Sequence, residues 1–286
     1  MVRDDIPRQI LVLGATAPVG RELLARLAVA LPPVQVVALA RDPPAPLVLD
    51  QRIAWRRGDL CRDAITDPVE AVFSAGPLDG LADWLERQQP EGIARIVALS
   101  STSLHVKADS RDARERDIAA HLRAGEERLA AWCATHGTHW TVLRPTLVYG
   151  AGDRNLSRVA ALATRFGFFA LPRGARGLRQ PVHAHDVAGA LLACLDARAT
   201  FDRAYDLPGG ETLAYDAMIA RVLAALPSRP RLLRLPDSLF AIAAALARPF
   251  VPGATRAVLA RLRDDLVFDA SDAARDFGYA PRAFSP

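Results

Sequence analysis

The chain has 286 residues, of which 51% are hydrophobic and 24% charged, and its formal net charge is +4. This length suits one large domain, or one domain that carries a smaller lobe, and the composition is that of a globular protein. The arginines are interspersed with acids, as in residues 111–115, so the charge pattern does not indicate a nucleic-acid surface. The longest apolar run, residues 239–247, is much shorter than the roughly 20 residues of a membrane span. Cys61, Cys133 and Cys194 lie too far apart to indicate a metal site. We therefore expect a cytoplasmic protein that binds no metal, nucleic acid or membrane.

Short apolar runs alternate with helical patterns over the first 150 residues. Continuous apolar runs are typical of strands that are buried on both faces of a parallel sheet. The predicted strands are Gln9–Leu13, 34–40, 53–55, 69–73, 93–99 and 140–143, and the predicted helices are Pro18–Ala30, Leu78–Gln88 and 112–135. Strands that alternate with helices in this way predict an α/β fold, a Rossmann-type doubly wound parallel sheet.

After Gly150 the pattern changes, because helical stretches and prolines dominate. The predicted helices are 156–165, 186–196, 215–226, 238–247 and 254–263, and the short strands are 179–183, 204–207 and 232–235. We predict a dinucleotide-binding domain over residues 1–150 and a smaller, mostly helical substrate lobe over 151–286. A segment of this lobe, about 179–200, is expected to return to the Rossmann core. Such a lobe would cover the carboxyl ends of the strands, where ligands bind in this fold.

The turn after the first strand has the glycine pattern of a dinucleotide-binding site. It reads Gly14, Ala15, Thr16, Ala17, Pro18, Val19 and Gly20. Gly14 would permit the tight turn and Gly20 the close packing of helix on strand, while N–H groups at the helix start bind the pyrophosphate. Ala17 stands where the pattern usually has glycine, and its methyl group narrows the approach to phosphate. The alternative is a purely structural turn in a fold that has lost its cofactor.

The second predicted strand ends at Ala40 and is followed by Arg41 and Asp42, where dinucleotide-binding folds recognise the ribose. An arginine here can pair with the 2′-phosphate of NADP, whereas an acid would accept from the 2′-hydroxyl of NAD. Arg41 favours NADP, and Asp42 leaves NAD open.

These patterns resemble the extended and atypical short-chain dehydrogenase/reductase superfamily, in its NAD(P)-dependent epimerase/dehydratase branch. The motifs that carry the resemblance are residues 14–20, 58–60, 99–103, 143–150, 181–188 and 277–282. The resemblance implies further cofactor-binding residues beyond the turn, namely Asp59 and Leu60, Ser74, Ala75 and Gly76, Ser100, and Pro145. Asp59 is similar to the family's adenine contact.

The family's catalytic machinery is a Ser or Thr after the fifth strand and a Tyr-x-x-x-Lys on the next helix. The alignment places Ser101 at the Ser/Thr position, but Ile118 and Leu122 stand at the tyrosine and lysine positions. No Tyr-x-x-x-Lys occurs anywhere in this chain. The remaining catalytic candidates are Ser101 and Thr102 as hydrogen-bond donors, Lys107 as acid or electrostatic clamp, and Tyr149 or His183 from the opposite side. A solvated Lys107, a packed Tyr149 and a structural His183 are the alternatives.

Two functions fit these observations. The first is an atypical NADP-dependent reductase or epimerase-like oxidoreductase that acts on a small polar substrate, for which a nucleotide sugar is one candidate. The second is a non-catalytic NAD(P)-binding sensor or assembly subunit, which the missing tyrosine and lysine favour. A homodimer is possible. Five arginines beyond residue 150 either bind an anionic substrate or form a solvated face: Arg154, Arg158, Arg173, Arg176 and Arg179.

Overall fold

The structure, a computed structural model, describes residues 9–30, 34–44, 52–60, 62, 63, 65, 67–247 and 261–286. The strands in chain order are β1 Gln9–Leu13, β2 Gln35–Ala40, β3 Ile53–Arg57, β4 Ala71–Ser74, β5 Arg95–Leu99, β6 His139–Pro145, β7 Val148–Tyr149, β8 Phe168–Pro172, β9 Leu178–Arg179, β10 Val182–His183, β11 Arg203–Leu207, β12 Leu213–Ala214 and β13 Arg231–Leu235. The helices are α1 Pro18–Ala30, α2 Leu78–Gln88, α3 Ser103–Val106, α4 Ala113–His136, α5 Leu156–Phe166, α6 Ala184–Ala193, α7 Tyr215–Ala225, α8 Asp237–Ala247 and α9 Ser271–Phe277. The predicted helix 254–263 lies almost entirely outside the described residues, as does Cys61.

Seven parallel strands form the central sheet, in the order β11-β6-β5-β4-β1-β2-β3. The chain runs outward from β1 to β3 and then returns to β4 on the other side of β1. The carboxyl ends of β1 and β4 therefore flank the point where the strand order reverses, which is where ligands bind in open α/β sheets. The predicted Rossmann-type α/β fold is confirmed.

Both faces of the sheet are covered, which explains the continuous apolar runs in its strands. On one face, Ile10 and Val12 of β1 belong to a core cluster that also contains buried residues of α1 and α6. On the other face, Leu11 and Leu13 pack in a cluster with residues of α2 and α4. Successive side chains of a strand point to opposite faces of the sheet. When both faces are covered, the residues on both are apolar, so the sequence of the strand shows no alternation of polar and apolar residues.

Part of the chain beyond residue 150 completes this sheet. Strand β11 pairs in parallel with β6, from Arg203 opposite Thr141 to Leu207 opposite Pro145. Helix α6 packs on α1. The predicted short strand 204–207 thus lies in the main sheet and not in the smaller lobe, because its inward side chains, Tyr205 and Leu207, join the core on the α1 face. A third apolar cluster is built around α5, α7 and β8. The division of the chain at residue 150 stays a prediction.

Within the ranges given above, no helix is both long and apolar enough to cross a membrane. Over the same residues, no group of three or more His, Cys, Asp and Glu side chains is placed to hold a metal ion.

Candidate cofactor and substrate site

The turn after β1 presses against the turn after β4. Gly14 has a φ of +69°, and a Cβ placed on it would lie 2.6 Å from both the carbonyl carbon of Ala75 and the backbone nitrogen of Gly76. This close approach and the positive φ both require glycine. The predicted residues Gly14, Ala75 and Gly76 therefore meet at the point where the strand order reverses.

The start of α1 packs directly on this turn. A Cβ on Gly20 would lie 2.2 Å from the Gly14 carbonyl oxygen, so no side chain fits at this position either. The Ala17 N–H donates to the Gly14 carbonyl oxygen at 2.9 Å and tightens the turn. Pro18 is the first residue of the helix, where its missing N–H group is not needed. Thr16 is exposed and Val19 is buried. The helix start thus faces solvent beside the two loops, as an anion-binding helix N-terminus requires.

Two buried hydroxyl groups at the carboxyl ends of β4 and β5 lack a hydrogen-bond partner within the described part of the chain. Among the described residues, Ser74 Oγ at the end of β4 and Ser100 Oγ after β5 make no hydrogen bond. An unsatisfied buried hydroxyl destabilises a protein by about 1–3 kcal/mol, so such groups often mark a place where a ligand binds. Ser100 also lines the cavity described below, whereas Ser74 is completely buried and does not. A polar ligand such as a dinucleotide fits the Ser100 hydroxyl and the glycine cradle.

Three charged side chains cluster where β2 and β3 end. Arg41 and Asp42 are exposed directly after β2, and the Asp42 carboxylate accepts a hydrogen bond from Arg57 Nη2 at 3.0 Å. The register pairs Ala40 with Arg57, which brings the ends of the two strands together. Sequence reasoning missed Arg57 because it ended the third strand at Trp55. The predicted ribose position therefore has two arginines and one acid.

The residues that follow β3 form a bonded turn at the same edge of the sheet. The Gly58 N–H donates to the Ala40 carbonyl at 3.0 Å, and the Asp59 N–H donates to the Asp63 carboxylate at 2.6 Å. Leu60 packs against the core cluster on the α2 face. Asp59 and Leu60 thus lie on the same edge of the sheet as the Arg41 cluster.

A cavity of about 550 Å³ opens at the carboxyl ends of β4, β5 and β6. It brings together seven of the predicted site residues: Ala75, Gly76, Ser100, Ser101, Thr102, Lys107 and Pro145. Five residues from the second half of the chain supply further polar wall: Asn155, Arg179, Gln180, Tyr215 and Arg261. The cavity is thus formed jointly by the Rossmann sheet and the later part of the chain.

Ser101 and Thr102 have different environments although they are neighbours. The Ser101 hydroxyl oxygen accepts from the Ser103 N–H at 3.1 Å, so its own proton remains available to a ligand. Thr102 is buried, and its hydroxyl donates to the Pro145 carbonyl at 3.3 Å. Ser101 is therefore the better placed of the two to donate to a substrate oxygen.

Lys107 is half-buried on the wall of the cavity. Burial lowers the pKa of its ammonium group, the nearby Arg261 guanidinium lowers the pKa further, and Glu115 opposes both effects. Arg261 forms an ion pair with Glu115, which links the C-terminal part of the chain to α4. Sequence reasoning missed Arg261, because only the fold brings it to Lys107.

Tyr149 and His183 lie away from the cavity wall. The Tyr149 hydroxyl accepts from the Ser285 N–H at 3.2 Å, and its ring packs edge-on against Phe284 and His183. His183 Nδ1 accepts from the His185 N–H at 3.0 Å at the start of α6, and burial lowers the pKa of His183. The structure therefore separates Tyr149 and His183 from Ser101, Thr102 and Lys107, which line the cavity, and gives Tyr149 a packing role.

Helix α4 presents an apolar wall at the expected tyrosine and lysine positions. Leu122 lines the cavity, and Ile118, one turn earlier, is 43% exposed. One turn beyond Leu122, Glu126 accepts from Arg144 Nε at 2.9 Å. Neither Ile118 nor Leu122 can exchange a proton with a substrate.

Of the five arginines considered as anion ligands, only Arg179 lines the cavity. Its guanidinium group donates to the carbonyl oxygens of Leu178 and Asp264, each at 2.7 Å, and to that of Arg261. Burial lowers the pKa of Arg179. The other four arginines are exposed on the surface: Arg154, Arg158, Arg173 and Arg176.

Comparisons with known proteins agree with this architecture. Residues 78–207 match the family model of the NAD dependent epimerase/dehydratase family. One curated relative is "NADH dehydrogenase [ubiquinone] 1 alpha subcomplex subunit 9, mitochondrial" of Arabidopsis thaliana, which is 29% identical over 161 residues. That match covers 55% of this chain but only 36% of the relative, so the chain spans about a third of that protein.

Two solved structures illustrate the likeness in fold. An epimerase of the methanogen Methanothermobacter thermautotrophicus has a TM-score of 0.72 and 15% identity, and the match covers 97% of this chain and 88% of that one. MoeE5, solved in complex with UDP-glucose and NAD, has a TM-score of 0.62 and 21% identity, with 80% and 85% coverage. At these identities the likeness shows a shared fold.

Proposed function

Since residues 78–207 match the model of the NAD dependent epimerase/dehydratase family, which the sequence resemblance predicted, we propose that this chain is an NAD(P)-dependent oxidoreductase or epimerase-like enzyme. Its substrate would be a small polar molecule that enters the cavity at the ends of β4, β5 and β6. The observation that carries this proposal is the close contact of Gly14 with Ala75 and Gly76, which leaves no room for a side chain in the turn that precedes the start of α1.

The dinucleotide would lie across the point where the strand order reverses. Gly14, Ala17 and Gly20 would hold its pyrophosphate, and Asp59 its adenine end. Ser100 and Pro145 would lie beside the nicotinamide, which supplies or accepts a hydride when it is bound. The unpartnered Ser100 hydroxyl supports this arrangement because the ligand would satisfy it.

NADP is the cofactor that the ribose position favours. Arg57 forms an ion pair with Asp42, so the carboxylate that would otherwise accept from the 2′-hydroxyl of NAD already has a partner. Arg41 and Arg57 would then both face the 2′-phosphate. Structural neighbours such as MoeE5 hold NAD, so the choice of NADP rests on this chain's own residues.

The chain's own residues would bind and polarise the substrate. Ser101 would donate a hydrogen bond to the reacting oxygen, since its hydroxyl donates to none of the described residues. Lys107 would act as an electrostatic clamp for the negative charge that develops there. A nucleotide sugar is one substrate of suitable chemistry, because a neighbouring structure holds UDP-glucose in the same fold.

Calorimetric titration of the purified chain with NADP⁺ and NAD⁺ tests the proposal, with Ala17→Val as the variant that blocks the turn. We expect binding by the intact chain, no binding by Ala17→Val, and the same circular dichroism spectrum for both. Cofactor binding that survives in Ala17→Val would mean that the ligand lies elsewhere.

A second function has support of its own, namely a non-catalytic NAD(P)-binding subunit of a larger assembly. The wall of α4 lacks a proton-transferring residue, and the Arabidopsis relative is named as a subunit of NADH dehydrogenase. The two functions differ in one measurable property. An enzyme oxidises its bound reduced cofactor when a carbonyl substrate is added, whereas such a subunit retains the reduced cofactor with every carbonyl compound tested. The cytoplasmic location and the homodimer stay predictions.

A further inference from the structure

The cavity needs a proton donor if the proposed chemistry takes place there, because Leu122 is the one residue of α4 that lines it. The structure describes all four tyrosines of the chain, and three of them use their hydroxyl groups elsewhere. The Tyr149 hydroxyl pairs with the Ser285 N–H, the Tyr205 hydroxyl with the Asp276 carboxylate at 2.8 Å, and the Tyr279 hydroxyl with the Pro208 carbonyl at 2.9 Å. None of these three lines the cavity.

Tyr215 differs from them in both respects. It lines the cavity together with Ser101 and Lys107. Its hydroxyl has no hydrogen-bond partner among the described residues. The backbone holds it firmly, because the Tyr215 N–H donates to the Gly177 carbonyl at 3.0 Å and the next residue donates to Ala175 at 3.1 Å. The cavity therefore has one unused phenol on a fixed backbone.

A fixed positive charge lies beside this phenol. The Arg179 guanidinium carbon is 5.5 Å from the centroid of the Tyr215 ring. Three main-chain carbonyls hold the guanidinium in place, so it does not need to move when the charge on the phenol changes. Burial raises the pKa of Tyr215, which keeps the phenol protonated at neutral pH, and Arg179 lowers the pKa and would stabilise the phenolate.

We propose that Tyr215 is the proton donor of this site, in place of the tyrosine that α4 lacks. In the direction of reduction, the substrate's carbonyl carbon receives a hydride from the reduced nicotinamide, and the C=O electron pair moves onto the oxygen. The Tyr215 hydroxyl gives its proton to that oxygen, which completes the alcohol and leaves a phenolate beside Arg179. Water in the open cavity returns the proton. Ser101 orients the same oxygen, and Lys107 contributes charge but no proton.

This inference rests on the proposed function, and its test therefore begins with cofactor binding. The ionisation of tyrosine is followed by ultraviolet difference absorbance as the pH is raised, with and without saturating NADP⁺, in the intact chain. The oxidised nicotinamide is positively charged, so it should shift one tyrosine titration to lower pH by about one unit or more. NADPH, whose ring is uncharged, should cause a smaller shift.

Two matched variants identify the tyrosine. Tyr215→Phe should abolish the cofactor-linked shift and still bind NADP⁺, and it should fold because the lost hydroxyl has no partner within the described part of the chain. Tyr279→Phe removes a phenol outside the cavity and should keep the shift. A shift that persists in Tyr215→Phe, or that is absent from an intact chain that binds NADP⁺, overturns the inference and leaves the proposed function standing. Failure of the intact chain to bind either oxidised cofactor in calorimetry overturns both.

Discussion

Removal of the arginines at the ends of β2 and β3 should abolish the preference for NADPH over NADH. In the folded protein Arg57 is 75% exposed and its partner Asp42 is 90% exposed, so water and salt screen any contact with the 2′-phosphate. A charge-assisted hydrogen bond contributes about 1.5–3 kcal/mol, and exposure places these contacts at the lower end of that range. Each arginine is then worth about a tenfold change in affinity for NADPH.

We therefore expect Arg41→Ala and Arg57→Ala each to weaken NADPH binding about tenfold and to leave NADH binding almost unchanged. Asp42→Asn should strengthen NADPH binding, because it removes a negative charge beside the phosphate and frees Arg57. Arg123→Ala removes an exposed arginine of α4 and serves as the control.

Calorimetric titration of each variant with both reduced cofactors measures these effects. The preference should also shrink as salt is raised, because the Debye length falls from about 30 Å at 0.01 M to about 3 Å at 1 M. Equal affinities for NADPH and NADH in the intact chain would refute the reasoning, as would a preference that survives the loss of both arginines.

Three further predictions follow from the site and the core. Ala17→Gly should bind the cofactor at least as tightly as the intact chain, since it only removes a methyl group from the turn, and a weaker affinity in calorimetry would contradict this. With any substrate that oxidises NADPH, Lys107→Met should lower turnover by roughly two orders of magnitude, and Ser101→Ala should lower it by less. Cofactor affinity should be unchanged in both variants. Undiminished turnover in Lys107→Met would show that Lys107 has no role in the reaction. Burial raises the pKa of the Cys133 and Cys194 thiols to about 12, so neither should react with iodoacetamide at neutral pH until the chain is unfolded. Labelling of either of these two cysteines in the native protein, located by peptide mass spectrometry, would contradict the buried environment.

The sequence by itself determined the strands at the centre of the sheet and the position of the glycine turn after β1. Both are local properties, because a strand buried on two faces must be apolar along its length, and a turn pressed against its neighbour must be glycine. The β1 run and Gly14 therefore predicted the strand and the turn before any contact was known. The extent of α4 was predictable for a similar reason, since it begins after Asp112, whose side chain caps it, and ends at Gly137 with a φ of +66°.

Other parts of the architecture depend on contacts between residues that are distant in the chain. The sequence identified residues 204–207 as a strand, but only the pairing of β11 with β6 shows that they complete the main sheet. Arg57 lies beside Arg41 and Asp42, the predicted ribose position, because of the register between β2 and β3. Tyr149 was a catalytic candidate until packing against Phe284 showed that its ring belongs to a core.

The composition of the cavity was decided by the tertiary structure. Arg261, more than a hundred residues away in the chain, lies close enough to Lys107 to lower its pKa, and it forms an ion pair with Glu115. Tyr215 and Arg179 carry no local pattern that distinguishes a cavity residue from a packed one. A periodic pattern reports which face of an element is buried, whereas a cavity is the space that several elements leave between them, so its lining is a property of the assembled fold.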